Sequence, residues 1–195
     1  MHKIVLASKS QVRKKILEES ALKFSVVPSN VDEEAVKESL ISEGATPEII
    51  SKNLAELKAN KISQKIPNAI VIGADSVIDL KGELISKPGD RLEALEILKK
   101  LNGKTHYLIS SVCISKNGSM TWNYSEKASL TMKDHSDDEL NHYLNKISDE
   151  DLYAYNVYQI ESHGKHLFSE IRGDKSTIMG LPILKIKKYI ENLEC

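Results

Sequence analysis

Acidic and basic side chains at the ends of apolar runs are what first suggest chemistry in this chain. Asp75 follows AIVIGA at 69–74, the most apolar run of all, and Ser76 comes next. Burying a carboxylate beside such a run is costly unless a cation or hydrogen-bond donors compensate it; the bland reading is a turn aspartate. Asp32, Glu33 and Glu34 follow the turn Pro28-Ser29-Asn30. Acids near a helix start serve as partners of the helix dipole, and the same oxygens suit a hard divalent cation, for which Glu33 is the candidate ligand. In ASKSQVR at 7–13 a strand ends, hydroxyls follow and a helix begins. Free N–H groups there, with Ser8, Ser10 and Arg13, would cradle a phosphate; the alternative is an ordinary serine N-cap and a solvated arginine. Lys87 ends a short strand before Pro88, and Lys58 lies in LAELKA. Alone, Lys87 reads as a surface lysine. As a set, Asp75, Glu33, Arg13, Lys58 and Lys87 suit a metal-bound polyphosphate.

The elements that must position these residues are read from apolar periodicity. Residues 3–7 predict a buried strand, 8–19 a helix with Ile16 and Leu17 inward, and 24–27 a second strand stopped by Pro28. Helices are expected over 33–42 and 47–64, the second opened by Pro47, with Leu54, Leu57 and Ala59 on its apolar side. The strand at 69–74 leads through Asp75 and Ser76 into 77–80, and Lys81-Gly82 turns the chain into 83–86. Leu92, Leu95, Leu98 and Leu101 predict a helical face ended by Asn102-Gly103. The alternation over 122–132 is that of a strand with one wet face. Asn117-Gly118 joins it to 105–115 as a hairpin. Ser136 caps a helix to Lys146, and 182–193 forms an amphipathic last helix with Ile183, Ile186, Tyr189 and Ile190 inward. Hairpins mixed with strand–helix alternation imply an α/β fold on a mixed sheet.

At 195 residues, 41% hydrophobic and 28% charged, the chain can bury a sizeable core, and one domain over 1–195 is expected. Lys plus Arg total 27 against 28 Asp plus Glu. The net charge of -1 offers no general field for a nucleic-acid polymer, so any anion site must be local. The short apolar run at 1–7 does not resemble a signal peptide, no segment has the length to span a bilayer, and neither Cys113 nor Cys195 belongs to a metal-ligand or redox spacing. A cytoplasmic protein with no membrane partner is expected.

The order and spacing of several motifs resemble the Maf family along nearly the whole chain. They are LASKSQVRKKIL at 6–17, VDE at 31–33, LAELKA at 54–59, VIGADSVI at 71–78, SKP at 86–88, ILKKLNGKTH at 97–106, YQIESHG at 158–164 and IRGDKSTIMGLPIL at 171–184. The resemblance implies an elongated mixed sheet flanked by helices, two lobes with a cleft, similar to inosine triphosphate pyrophosphatases, and a homodimer. It implies hydrolysis of a nucleoside triphosphate to the monophosphate and pyrophosphate with Mg2+ or Mn2+. By position, Asp75 would be the proton acceptor or an ion ligand, Glu33 a metal ligand, and Arg13, Lys58 and Lys87 the neutralisers of phosphate charge; Ser8 and Ser10 lie in the first substrate loop. A nucleotide-binding regulator of cell division without turnover is the alternative the family name carries.

Departures from the family pattern bear on the base. The subfamily acting on dTTP and UTP has two arginines after SP, a Thr after the aspartate and YxIQG. Here Gln11 and Val12 replace Pro and the first Arg, Ser76 replaces Thr, and Glu161-Ser162 replace Gln-Gly, with Asn156 and Ser162 at family glycine positions. A carboxylate only accepts, which suits the N–H edge of guanine better than a pyrimidine. Glu161, with Val12 and Ser76, resembles the subfamily handling 7-methyl-GTP and related nucleotides.

Overall fold

The apolar runs at 70–80 and 105–116 become the two central strands of a seven-stranded mixed sheet in the computed structural model, which describes residues 3–154, 157–160 and 162–193. The strands are β1 (Ile4–Leu6), β2 (Phe24–Val26), β3 (Ile70–Leu80), β4 (Glu83–Ile85), β5 (Thr105–Lys116), β6 (Ser119–Met132) and β7 (Phe168–Arg172). Their order is β2-β1-β3-β5-β6-β7, with β4 on β3; the β1 pairings are parallel and the rest antiparallel. The helices are α1 (Gln11–Glu19), α2 (Glu33–Ser42), α3 (Pro47–Ser63), α4 (Arg91–Leu101), α5 (Asp137–Leu144), α6 (Asp149–Ala154), α7 (Lys175–Ile178) and α8 (Ile183–Asn192), with a 3-10 turn at His163–Leu167. Among the described residues no helix is long and apolar enough to cross a membrane. Glu161, Asn156 and Cys195 lie outside the described residues.

Caps and turns fall where the sequence puts their chemistry. Asp32, Thr46, Asp90 and Ser136 accept from backbone N–H groups of the helices they open, and Ser136 with Glu139 forms a reciprocal capping box. Lys81-Gly82 and Asn117-Gly118 have positive φ at both residues, as two-residue hairpin turns require, and join β3 to β4 and β5 to β6.

The two largest of four apolar clusters among the described residues share the sheet. One gathers Leu6, Leu17, Ile72, Val112, Ile114, Ile186 and others between the sheet, α1 and α8. The other gathers Ile78, Leu98, Leu101, Leu108, Leu130, Leu144 and others around α4, α5 and the far halves of β3, β5 and β6. On the opposite face of the first half, α3 lies against β3 and β5 at unusually short range. A Cβ on Gly73 would stand 2.2 Å from the Ala55 carbonyl oxygen and 2.6 Å from the Ala59 nitrogen.

Three expectations are corrected. The helix read as starting at residue 8 starts at Gln11, because Ser10 caps it, accepting from Arg13 N at 3.3 Å, while Ser8 Oγ accepts from Ser10 N at 3.2 Å. Leu57 is 41% exposed, since the inward stripe of α3 runs through Ser51, Leu54, Ala55, Lys58, Ala59 and Ile62, centred on the small residues that meet Gly73. Leu92 is 77% exposed, with Ala94, Leu98 and Leu101 buried instead.

Candidate active site

The sheet is interrupted where the chemistry lies. β1 pairs with β3 only from Ile70 to Ile72, and β4 takes up β3 only from Ile78 to Leu80. β5 occupies the opposite edge along 71–79, so β1 and β4 share one edge and residues 73–77 face a gap between them. Asp75 and Ser76 are therefore not in a turn but midway along a continuous strand, with side chains on opposite faces as strand geometry requires.

On the α3 face, Asp75 is 5% exposed. Lys58, also 5% exposed because it shares the stripe of Leu54 and Ala55, donates through Nζ to Asp75 Oδ1 at 2.8 Å. The same ammonium lies 3.0 Å from Glu33 Oε1, the side chain that opens α2. Ser51 Oγ donates to the Asp75 carbonyl at 3.2 Å. Asp75 Oδ2 is buried and has no hydrogen-bond partner among the described residues. Burial raises the Glu33 pKa, but the charge and hydrogen bond of Lys58, with Lys37 and Arg13, hold it below the ordinary carboxylate value.

On the other face, Arg13 reaches back from the first turn of α1. Nε donates to Gly180 O at 2.9 Å, Nη1 to Ala74 O at 2.9 Å and Nη2 to Ser76 Oγ at 3.0 Å. It is not a solvated side chain, and burial lowers its pKa against the attraction of Asp75 and Glu33. Lys87, after β4, lies across the gap. Burial and the nearby Arg13 charge lower its pKa, with Glu33 and Asp75 opposing.

These groups line one cleft of about 410 Å³. Its charged walls are Lys9, Arg13, Lys37, Lys58 and Lys87 against Glu33 and Asp75, an excess of positive charge in a chain whose net charge is -1. Positive charge is thus concentrated locally, as the composition requires of any anion site in this chain. Ser8, Ser10, Val12, Arg13, Glu33, Lys58, Asp75, Ser76 and Lys87 all line the cleft; Glu161 alone of the expected site residues lies outside the described residues. Ser10 doubles as the cap of α1, and the Ser76 hydroxyl is engaged by Arg13.

Lys9, Lys37 and an apolar end formed by Leu108, Tyr158, Ile160, Ile178 and Met179 are not anticipated from the sequence. For Lys37 the signal is present, since it follows Glu33 by one helical turn. Tyr158 Oη lies 2.7 Å from His106 Nε2, and burial pushes the His106 pKa down to about 4, so the imidazole beneath this wall is neutral.

A gapped α/β sheet whose opening gathers cations around a buried carboxylate has the charge that a site for a phosphate-rich anion would require. The chain belongs to the Maf family, whose Maf-like protein model matches residues 3–193. It is 71% identical over 188 residues to the nucleoside triphosphate pyrophosphatase of Pelagibacter ubique (strain HTCC1062), covering 96% of each chain. It is 38% identical over 193 residues to the 7-methyl-GTP pyrophosphatase of Brucella abortus biovar 1 (strain 9-941), covering 99% of this chain and 97% of that one. Among solved structures, the Staphylococcus aureus Ham1 protein is similar at a TM-score of 0.45 and 18% identity, covering 67% of this chain and 71% of that one.

Proposed function

We propose that the chain hydrolyses a nucleoside triphosphate to the monophosphate and pyrophosphate, by attack of water on the α-phosphorus and departure of pyrophosphate. The observation that carries this reading is the Glu33–Lys58–Asp75 cluster at the gap between β1 and β4 along β3, with a carboxylate oxygen unpartnered among the described residues, in a cation-rich cleft. Lys58 fixes Oδ1 and so leaves Oδ2 either to orient the water and take its proton or to help hold the ion that does so. Lys87, together with Arg13, neutralises charge that builds on the phosphate oxygens as the anhydride bond breaks.

The donor set fits a hard divalent ion such as Mg2+ or Mn2+. Asp75 Oδ2 and Glu33 would hold it; no group of three or more His, Cys, Asp or Glu poised for a metal occurs among the described residues, and such ions fill their remaining positions with phosphate oxygens and water. When bound, the ion supplies charge stabilisation and a more acidic water. The family resemblance further supports a single domain, a homodimer and a cytoplasmic location as part of the same proposal.

The test is pyrophosphate release from a panel of nucleoside triphosphates with Mg2+. Binding without turnover of any of them would favour the regulator of cell division instead. Lys87→Ala is expected to lower kcat/KM on the order of tenfold to a hundredfold, as removal of a charge that acts on the transition state does. An unchanged kcat/KM would return Lys87 to the role of an ordinary wall residue.

For the base, we propose a guanine-type or modified nucleotide, supported by Glu161 in the YQIES motif and by the similarity to a 7-methyl-GTP pyrophosphatase. The expected ranking by kcat/KM sets 7-methyl-GTP and GTP above dTTP and UTP. Glu161→Gln should narrow the difference, because an unpaired buried polar group costs about 1–3 kcal/mol. A wild type that prefers dTTP or UTP would overturn the base assignment and leave the hydrolysis intact.

A further inference from the structure

Ser76 is the direct cross-strand partner of Ser110, and their hydroxyls lie 3.0 Å apart. Ser110, fully buried on β5, donates to the Thr177 carbonyl of α7 at 2.7 Å. A serine has one hydroxyl proton. With that of Ser110 spent on Thr177, Ser76 donates to Ser110 and accepts from Arg13 Nη2, and the chain of bonds runs in one direction from the cleft to α7. Its far end is held as well, because Thr177 is fully buried and its Oγ1 donates to Glu126 on β6.

The position of this chain in the fold is informative. Along β3, Ala74 belongs to one apolar core and Ile78 to the other; along β5, Val112 and Leu108 do the same. Ser76 and Ser110 are the polar pair between them, at the waist of the molecule. Of the three acceptors that hold Arg13, two are backbone carbonyls fixed by the main chain. The third, Ser76 Oγ, is on a side chain free to rotate, so something must fix its lone pairs. We infer that Ser110 is a positioning residue for Arg13, acting through Ser76 and anchored on Thr177. This gives the segment GDKSTIMG at 173–180 a task, since it supplies both the anchor and the Gly180 carbonyl that takes Arg13 Nε. Three of the five guanidinium N–H bonds are thereby committed, and the remaining two are presented in a set direction.

This inference rests on the proposed role of Arg13 toward phosphate. Its test is a double-variant cycle of Ser110→Ala and Arg13→Lys, read as kcat/KM for pyrophosphate release and, in parallel, as Kd for inorganic tripolyphosphate. Ser110→Ala is expected to cost about tenfold by the first readout, the size of a small misplacement of a catalytic group. In the Arg13→Lys background, where no guanidinium remains to be aimed, it should cost nothing further. A loss that multiplies in the double variant, or no loss from Ser110→Ala alone, overturns the inference. If Ser110→Ala lacks a cooperative melting transition, Ser76→Ala breaks the same chain from the cleft side and takes its place, with the same two outcomes. A wild type that binds tripolyphosphate but turns over no nucleotide would overturn the proposed hydrolysis, while the cycle in Kd still decides the role of Ser110.

Discussion

Asp75→Asn is expected to lower kcat by on the order of a hundredfold or more while the protein still folds. The amide keeps the shape of the carboxylate and can keep the acceptor at Oδ1, so Lys58 retains a partner there and a second one in Glu33 at 3.0 Å. What it loses is charge and basicity at the position of Oδ2, the buried oxygen that nothing else in the described structure satisfies. An amide nitrogen there donates where an acceptor of protons or a ligand for a cation is needed. The measurement is kcat alongside a thermal melt: a melting temperature within a few degrees of wild type with turnover abolished is the expected pair. A folded variant with wild-type kcat would remove Asp75 from the mechanism.

Gly73→Ala is expected to be the most destabilising of the conservative changes at the site. The new Cβ would stand 2.2 Å from Ala55 O, 2.6 Å from Ala59 N and 2.9 Å from Ala59 Cβ. The first two are backbone atoms of α3 and cannot rotate away, so the helix must lift from the sheet. Overpacking of this kind costs about 3 kcal/mol or more, a fall in Tm on the order of 10 °C for a domain of this size. Because the same helix carries Lys58 on the stripe that contains Ala55 and Ala59, the shift also opens the contact with Asp75. Activity should therefore fall together with Tm. A Gly73→Ala variant that melts like wild type would show that α3 can sit further from β3 without penalty.

The parts of the fold that can be read from sequence are those with local causes. Asp32 opening α2, Pro47 opening α3, Asn117-Gly118 between β5 and β6, and the apolar run of β3 each specify their own conformation. Helical phase is harder. Leu57 looks inward by spacing alone, but the stripe of α3 is set by its approach to Gly73, which favours Ala55 and Ala59. β7, α6 and α7 leave no trace in the periodicity, because FSEIR, DEDLYA and KSTI carry neither a run nor a regular alternation of apolar residues. The cations and carboxylates of the site are legible because charge next to apolar sequence is costly and so conspicuous. Ser110 is not, since a serine inside an apolar strand gives no sign of a partner 67 residues away. Nor does the sequence indicate that Asp75 lies inside a strand, because the gap beside it comes from where β1 stops and β4 begins.

That gap bears on how the molecule behaves among its own kind. A strand edge without a neighbour invites extended segments of other chains to add to it, the usual beginning of aggregation. Here the open stretch is only residues 73–77, and the Ala74 carbonyl within it is already taken by Arg13. Around it stand Lys58, which is buried, Arg13, which is half-buried, and Lys87, and a neutral peptide entering among them would strip hydration from these cations without supplying a countercharge. A compact polyanion would bring that countercharge, and an extended strand gains little by entering. The side chains proposed to handle phosphate therefore also keep this unpaired edge within the sheet from becoming adhesive.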